Sequence, residues 1–263
     1  MRAYEEYREI LELWETGLPK KRIAITLGIP RATVRDCINR YGTIAELEEH
    51  AEQASKASPE YALKRLIETD DTNMHRAYAY VLGIYLGDGC LSKSRKVFRL
   101  RITLDKKYPG IIQYCSQAVQ VLLPDNQVGV VTRKTGCVEV SCYYKHWPEI
   151  LPQHGEGRKH TRPIMLEAWQ QRIVDAYPLE FFRGLYHSDG SRFSNIVKGK
   201  DYPRYSFTNS SPDILDLFTK TCDTLAIHWT VKNRNRDDDH AVDIFISKRP
   251  DVEYLDSVIG PKC

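Results

Sequence analysis

The chain has 263 residues, 42% hydrophobic and 28% charged, which is enough length to bury a substantial core and an ordinary composition for a soluble protein. Its start, MRAYEEYREI, is not a basic stretch followed by an apolar one, and no apolar run reaches membrane-spanning length, so the expectation is a soluble, unsecreted, cytoplasmic protein, bacterial or organellar, with no membrane partner. The net charge of +3 conceals a gradient of −3 over residues 1–75, +7 over 76–175 and −1 over 176–263, and a local basic excess of this kind suits a polyanionic partner.

The seven cysteines, Cys37, Cys90, Cys115, Cys137, Cys142, Cys222 and Cys263, are odd in number, scattered and without a CxxC pair, so they read as reduced and mostly buried. Cys137, Cys142, His146 and His154 do not make a convincing zinc set, because Cys142 falls on the apolar side of a strand with Val138 and Val140.

In chain order, an amphipathic run from Tyr4 to Trp14 ends at Gly17. The stretch KKRIAITLGIPRATVRDCINRYG then predicts a short helix, a turn at Leu27, Gly28 and Ile29, and a second helix with Pro30 at its first position that ends at Gly42. Ala24 is small where the helices approach, and Ile23, Leu27, Ile29, Val34 and Cys37 supply apolar anchors. The segment resembles the helix-turn-helix of bacterial regulators and recombinases, which implies a recognition helix presenting Arg31, Thr33 and Arg35 to DNA. A small helical bundle with a solvated basic face is the alternative. Residues 43–72 hold two polar helical stretches, opened by a Thr43 to Glu46 capping box and by Ser58 with Pro59, and read as a loose linker.

From residue 73 the chain repeats itself. AYVLGIYLGDGCLS (79–92) matches EFFRGLYHSDGSRF (180–193), each an apolar helix ending in Asp-Gly, with Asp88 and Asp189 101 positions apart. Strand, turn and helix follow in both copies, as RLRITLDKKYPGIIQYCSQAV and RYSFTNSSPDILDLFTKTCDTL, and VEVSCYYKHWPEILPQHGEGRK answers VDIFISKRPDVEYLDSVIGPK. Two copies of one unit, residues 73–175 and 176–263, predict an α+β fold with a pseudo-twofold axis. Gly83 and Gly87, and Gly184 and Ser188, are small residues four apart on one helix face, which lets the two helices pair closely. Each helix then places a carboxylate at its negative end, with Gly89 or Gly190 expected in a left-handed cap conformation. Two such acids side by side repel, and a divalent cation, hard and oxygen-seeking, reconciles them; Mg2+ is the expected ion.

LGIYLGDG and RGLYHSDG resemble the paired signature of the LAGLIDADG homing endonucleases, and the likeness runs through both repeats. Leu86 and His187 stand where the name has its first Asp. The resemblance implies two αββαββα halves forming a saddle over double-stranded DNA. It implies Mg2+, with Mn2+ or Ca2+ able to replace it in binding, held by Asp88 and Asp189, to which the preceding Gly87 and Ser188 are added as ligand positions. It also implies a basic residue near each active site, for which Lys159, 71 residues after Asp88, and Lys262, 73 after Asp189, are the candidates.

Alternation sets Phe98, Leu100, Ile102 and Leu104 against Arg99, Arg101 and Thr103, and Tyr205 and Phe207 against Arg204, Ser206 and Thr208. The polar sets, with Arg133 and Lys134 in the first repeat and Lys232, Arg234 and Arg236 in the second, are the expected DNA-facing residues. The activity expected is site-specific double-strand cleavage by a monomer at a long pseudo-palindromic site, with no small-molecule substrate. A domesticated regulator that binds DNA without cutting, as some LAGLIDADG relatives do, and an RNA role remain open.

Overall fold

The computed structural model describes residues 4–56, 58–134, 136–233, 241–260 and 262. The chain divides into two units, Met1–Lys64 and Arg65–Cys263.

The first unit contains α1 (Tyr4–Glu15), α2 (Lys20–Thr26), α3 (Arg31–Tyr41) and α4 (Ile44–Lys56), with α5 (Pro59–Glu68) running across the division. Ile10, Leu11, Ile23, Ala24, Val34, Cys37, Ile38, Tyr41 and Leu47 form its core. The turn between α2 and α3 needs Gly28, whose φ of +63° lies where a side chain is strained. Pro30 stands one position earlier than expected, as the extended N-cap of α3. Residues 44–56 also differ from the loose linker expected of them. Leu47 is buried with the first three helices, the Thr43 hydroxyl caps Glu46 N at 3.2 Å, and Ile44 N donates to Glu15 at 2.9 Å. One apolar face, small as it is, suffices to dock α4.

The second unit is the expected repeat. Its first copy runs α6 (Thr72–Asp88), β1 (Gly89–Ser94), β2 (Val97–Asp105), α7 (Pro109–Leu122), β3 (Val128–Thr132), β4 (Cys137–Tyr144) and α8 (Trp147–Ile150). A loop with a single 3-10 turn at Lys159–Thr161 and helix α9 (Ala168–Ala176) lead to the second copy. That copy is α10 (Pro178–Asp189), β5 (Gly190–Phe193), a small inserted hairpin β6 (Ile196–Val197) and β7 (Lys200–Asp201), β8 (Arg204–Asn209), α11 (Pro212–Thr224), β9 (Thr230–Asn233), β10 (Val242–Ile246) and α12 (Arg249–Val258). The two antiparallel sheets have the same topology, β1-β2-β4-β3 and β5-β8-β10-β9. Gly89 pairs with Ile102 and Gly190 with Phe207, which makes β2 and β8 equivalent. Leu100, Ile102, Leu104, Val140 and Cys142 line the buried face of the first sheet, and Tyr205, Phe207, Ile244 and Ile246 that of the second. Among the described residues no helix is long and apolar enough to cross a membrane.

Helices α6 and α10 pack backbone to backbone. A Cβ added to Gly83 would lie 2.5 Å from Phe181 O and 2.9 Å from Leu185 N, and one added to Gly184 would collide with Tyr80 O and lie 2.8 Å from Ile84 N. Only glycine fits either position, because the obstructing atoms are main chain. A single added methyl must therefore part the two helices. Gly184→Ala is expected to destabilise the second unit by about 2–3 kcal/mol, read by urea denaturation; stability equal to the unaltered protein would contradict the close approach.

Candidate metal centre and nucleic-acid face

Asp88 and Asp189 are the last residues of α6 and α10. The glycines after them are not left-handed, as the sequence suggested. Gly89 (φ −89°, ψ 151°) and Gly190 (φ −86°, ψ 161°) are extended and begin β1 and β5 directly. Glycine is needed for a different reason: a Cβ there would strike Tyr85 or Tyr186, whose backbone and ring lie against the turn. The chain thus passes from helix to strand without a loop, and each acid is carried between two rigid elements.

The acids are brought together at the helix crossing. A Cβ on Gly87 would lie 2.7 Å from Asp189 Oδ2, so the second acid sits against the residue before the first. Burial raises the Asp88 carboxyl to about 6, the neighbouring Asp189 charge adds to the rise, and Lys262 and Lys159 oppose it. Asp189 is also raised by burial, against a hydrogen bond from Asn209 Nδ2 at 2.8 Å and the two lysine charges. No ion pair to either acid is found among the described residues.

The two lysines arrive from the ends of the two repeats, as expected, but their atoms bind the helix ends. Lys159 Nζ donates to Tyr85 O, to Leu86 O at 2.9 Å and to Gly87 O at 3.0 Å, and Lys262 Nζ donates to Ser188 O at 2.9 Å. Each cation caps the negative end of a helix. Each also lies over the tyrosine three positions before an acid, Lys159 4.9 Å from Tyr85 and Lys262 5.7 Å from Tyr186. Burial pulls both ammonium groups down to about 8, while Asp88 and Asp189 act to hold them charged. Two acids and two lysines form one electrostatic unit.

Two cavities flank it. One, of about 510 Å3, is lined by Asp189, Gly87, Lys159 and Asn209, with Arg158, His160 and Arg162 from the loop before α9. The other, of about 520 Å3, is lined by Asp88, Ser188 and Lys262, with Asp105, Lys106 and Tyr108. Each cavity therefore pairs the acid of one helix with the residue preceding the acid of the other. Among the described residues no group of three or more His, Cys, Asp or Glu side chains is arranged to hold a metal, and Cys37, Cys90, Cys115, Cys137, Cys142 and Cys222 are free. Two carboxylates with nearby carbonyls are nonetheless the sparse oxygen set that Mg2+ accepts when a phosphate and waters complete its shell. His187, half-buried and held neutral with its pKa near 3 by burial, Arg183 and Lys262, turns away to Tyr80, whose hydroxyl lies 3.0 Å from Nδ1.

Asn209, Arg158 and Arg162 were not among the residues expected from sequence. A buried amide network explains how the loop carrying Arg158, His160 and Arg162 is held: Gln170 donates to Tyr78 Oη at 2.6 Å, Gln153 donates to Gln170 Oε1 at 2.6 Å and Met165 O at 2.7 Å, and Arg162 donates to Gln153 O at 2.7 Å.

The polar faces of the sheets hold the other expected residues. On the first lie Arg99, Arg101 and Thr103, with Arg133 and the exposed Lys134 at the β3–β4 turn. Arg99 and Arg133 are not free cations, for both pair with Glu139. On the second lie Arg204, Ser206, Thr208 and the exposed Lys232, joined by the contacting rings of Phe193 and Phe245, so this face is more apolar than the alternation implied. The Thr208 hydroxyl donates to Asp243 at 2.6 Å. Arg234 and Arg236 lie outside the described residues. In the first unit Arg31 and Arg35 are exposed on α3 and Thr33 half-buried, with Arg35 3.1 Å from its neighbour Asp36.

No protein-family model matches the sequence, and no curated protein sequence matches it at a significant level. Solved structures do. The homing endonuclease I-DmoI, crystallised in complex with DNA and Mn, superposes with a TM-score of 0.51 at 17% identity over 72% of this chain and 99% of that one. Mesophilic variants of I-DmoI give 0.51 at 16% identity over 71% and 97%. Full-length DUF199/WhiA from Thermatoga maritima gives 0.50 at 15% identity over 77% of this chain and 61% of that one. At these identities the likeness shows the fold alone, and that fold is the LAGLIDADG one.

The raised carboxyl has a measurable consequence. Between about pH 4 and pH 6 the folded protein retains a proton on Asp88 that the unfolded chain has lost, so stability falls as pH rises through this window, by on the order of 2 kcal/mol. Asp88→Asn cannot ionise and is expected to flatten that slope and to be the more stable protein at pH 7 in metal-free buffer. Parallel urea titrations across the window with the same slope in both proteins would contradict the assigned environment.

Proposed function

We propose that the second unit is a double-strand DNA endonuclease acting at a long, pseudo-palindromic site with Mg2+, and that the first unit is a separate helix-turn-helix DNA-reading module. The observation that carries this is the pair of carboxylates at the end of the closely packed helices, each open to its own cavity and each beside a lysine. A protein that only binds DNA gains nothing from two adjacent acids next to a phosphate backbone, where they repel it. I-DmoI, which shares the fold, was crystallised with DNA and Mn, and this supports a divalent cation at Asp88 and Asp189 with the Gly87 and Ser188 carbonyls nearby.

Bound there, the cation would stabilise the charge that develops on nucleophile, phosphorane and leaving oxygen. The protein's own groups prepare the ground for in-line attack of water on phosphorus opposite the 3′ oxygen. Lys159 and Lys262 offset the two acids, so that a scissile phosphate can approach a floor that is otherwise doubly negative. Asn209 fixes one oxygen of Asp189 and so orients the other. Arg158, His160 and Arg162 add positive or neutral donors to the Asp189 cavity. Because one chain supplies both halves, the active form is a monomer.

A regulator that binds without cutting is the second reading. It is favoured by the DNA-reading form of the first unit and by the engagement of the Gly87 and Ser188 carbonyls with lysines. The two are separated by incubating the purified full-length protein with a randomised plasmid library in Mg2+ and in EDTA, beside Asp88→Asn and Asp189→Asn. Discrete double-strand breaks that need Mg2+ and fall at least 100-fold in each variant, with binding retained, are expected. Selective binding without breaks in the unaltered protein would make it a regulator.

A further inference from the structure

The polar face of the first sheet carries a buried acid where a surface for DNA should carry none. Glu139 lies on β4 directly opposite Thr103 of β2, on the same side as Arg99 and Arg101, and its side chain is only 7% exposed. One carboxylate oxygen is bound by Arg99 and the other by Arg133 Nη2 at 2.9 Å. Arg99 Nη2 also donates to Ser141 Oγ at 3.0 Å, and its guanidinium lies 5.5 Å from the Tyr143 ring centroid. Burial alone would raise the Glu139 carboxyl, yet the hydrogen bond from Arg133 and the charges of Arg99, Arg133 and Arg101 hold it below the usual value. It is therefore ionised, and three arginines around one carboxylate leave the patch net positive.

Ser141, Arg99 and Glu139 form a rail that ends at Arg133, whose side chain is half exposed at the β3–β4 turn. A long arginine free in solution samples many rotamers, and contact with a base edge would have to freeze them; one already anchored loses less on binding and points in one direction. Phosphate contacts tolerate a mobile cation, whereas a guanine edge requires a guanidinium in register. A carboxylate placed among cations on a DNA face lowers non-specific attraction and raises selectivity.

We propose that Glu139 is a specificity-determining positioning residue: it presents Arg133, through the rail with Arg99, as a fixed guanidinium that reads a guanine in the half-site under the first repeat. The proposal rests on the DNA-binding reading of this sheet. The second repeat has Asp243 at the equivalent register, opposite Thr208, and there the acid accepts from a hydroxyl at 2.6 Å, so the two half-sites are read by different chemistry.

The test is selection of bound duplexes from a random pool in EDTA by the full-length protein, Glu139→Gln and Arg133→Lys, each checked for native circular dichroism and thermal melting. Glutamine keeps the shape and loses the charge; lysine keeps the charge and loses the planar fork. Both variants should lose about tenfold of the preference for guanine at the same one or two positions of one half-site. The other half-site should be unchanged, and affinity for random duplex equal or higher in Glu139→Gln. If Glu139→Gln fails to fold, Arg133→Lys carries the same expectation. Retained preference with uniformly tighter binding would overturn the proposal and leave Glu139 a charge-balancing residue. Retained preference with unchanged binding would overturn it and make the pair purely structural. Absence of any preference in the unaltered protein over that half-site would overturn both the proposal and the DNA reading of the first sheet.

Discussion

The contact of Gly83 with Gly184 is the constraint on which the second unit depends. At that crossing the main chains of α6 and α10 touch, and a methyl group on either residue would occupy the place of a carbonyl or amide of the other helix. The helices can cross so closely only because neither has a side chain there. Their ends are consequently forced together, and with them Asp88 and Asp189. The strands start at the next residue on each side, so the same crossing also sets the position of both sheets' first strands. Fold and site share one origin.

Bringing two carboxylates together in a partly dry place is unfavourable, and the surrounding residues show how it is tolerated. Burial and mutual repulsion raise Asp88, while Lys159 and Lys262, themselves pulled down by burial, provide opposite charge without closing on the acids in a direct pair. The lysines instead bind the carbonyls at the negative helix ends, which would otherwise add to the repulsion. A site arranged in this way is neutral overall, yet its acids remain open to the cavities. It is suited to accept a cation and a phosphate together, since each compensates the other.

Much of this was legible in the sequence because it depends on local pattern. Asp-Gly after a small-xxx-small helix, occurring twice, locates the helices and the acids without coordinates, and the family resemblance adds a lysine at nearly the same distance from each acid. Strand alternation likewise gave the buried sets Leu100, Ile102, Leu104 and Tyr205, Phe207. What was not legible depends on neighbours distant in the chain. Gly89 and Gly190 look like ordinary helix stops, and only the rings of Tyr85 and Tyr186 packed over them reveal that the requirement is space, not a left-handed turn. Asn209 is an unremarkable strand end until it meets Asp189. Arg99 and Arg133 read as free cations because nothing in the spacing announces that Glu139 lies between them. Leu47, one of few apolar residues in a polar stretch, gives too faint a period to show that α4 docks.

The central claim is that the helix crossing makes a divalent-cation site, and Mn2+ binding tests it most directly. Electron paramagnetic resonance titration of Mn2+ into the full-length protein with a random-sequence duplex present should show tight, saturable sites that are weakened at least tenfold in Asp88→Asn and in Asp189→Asn. Identical titration curves for the unaltered protein and both variants would show that the paired acids hold no metal and would contradict the account.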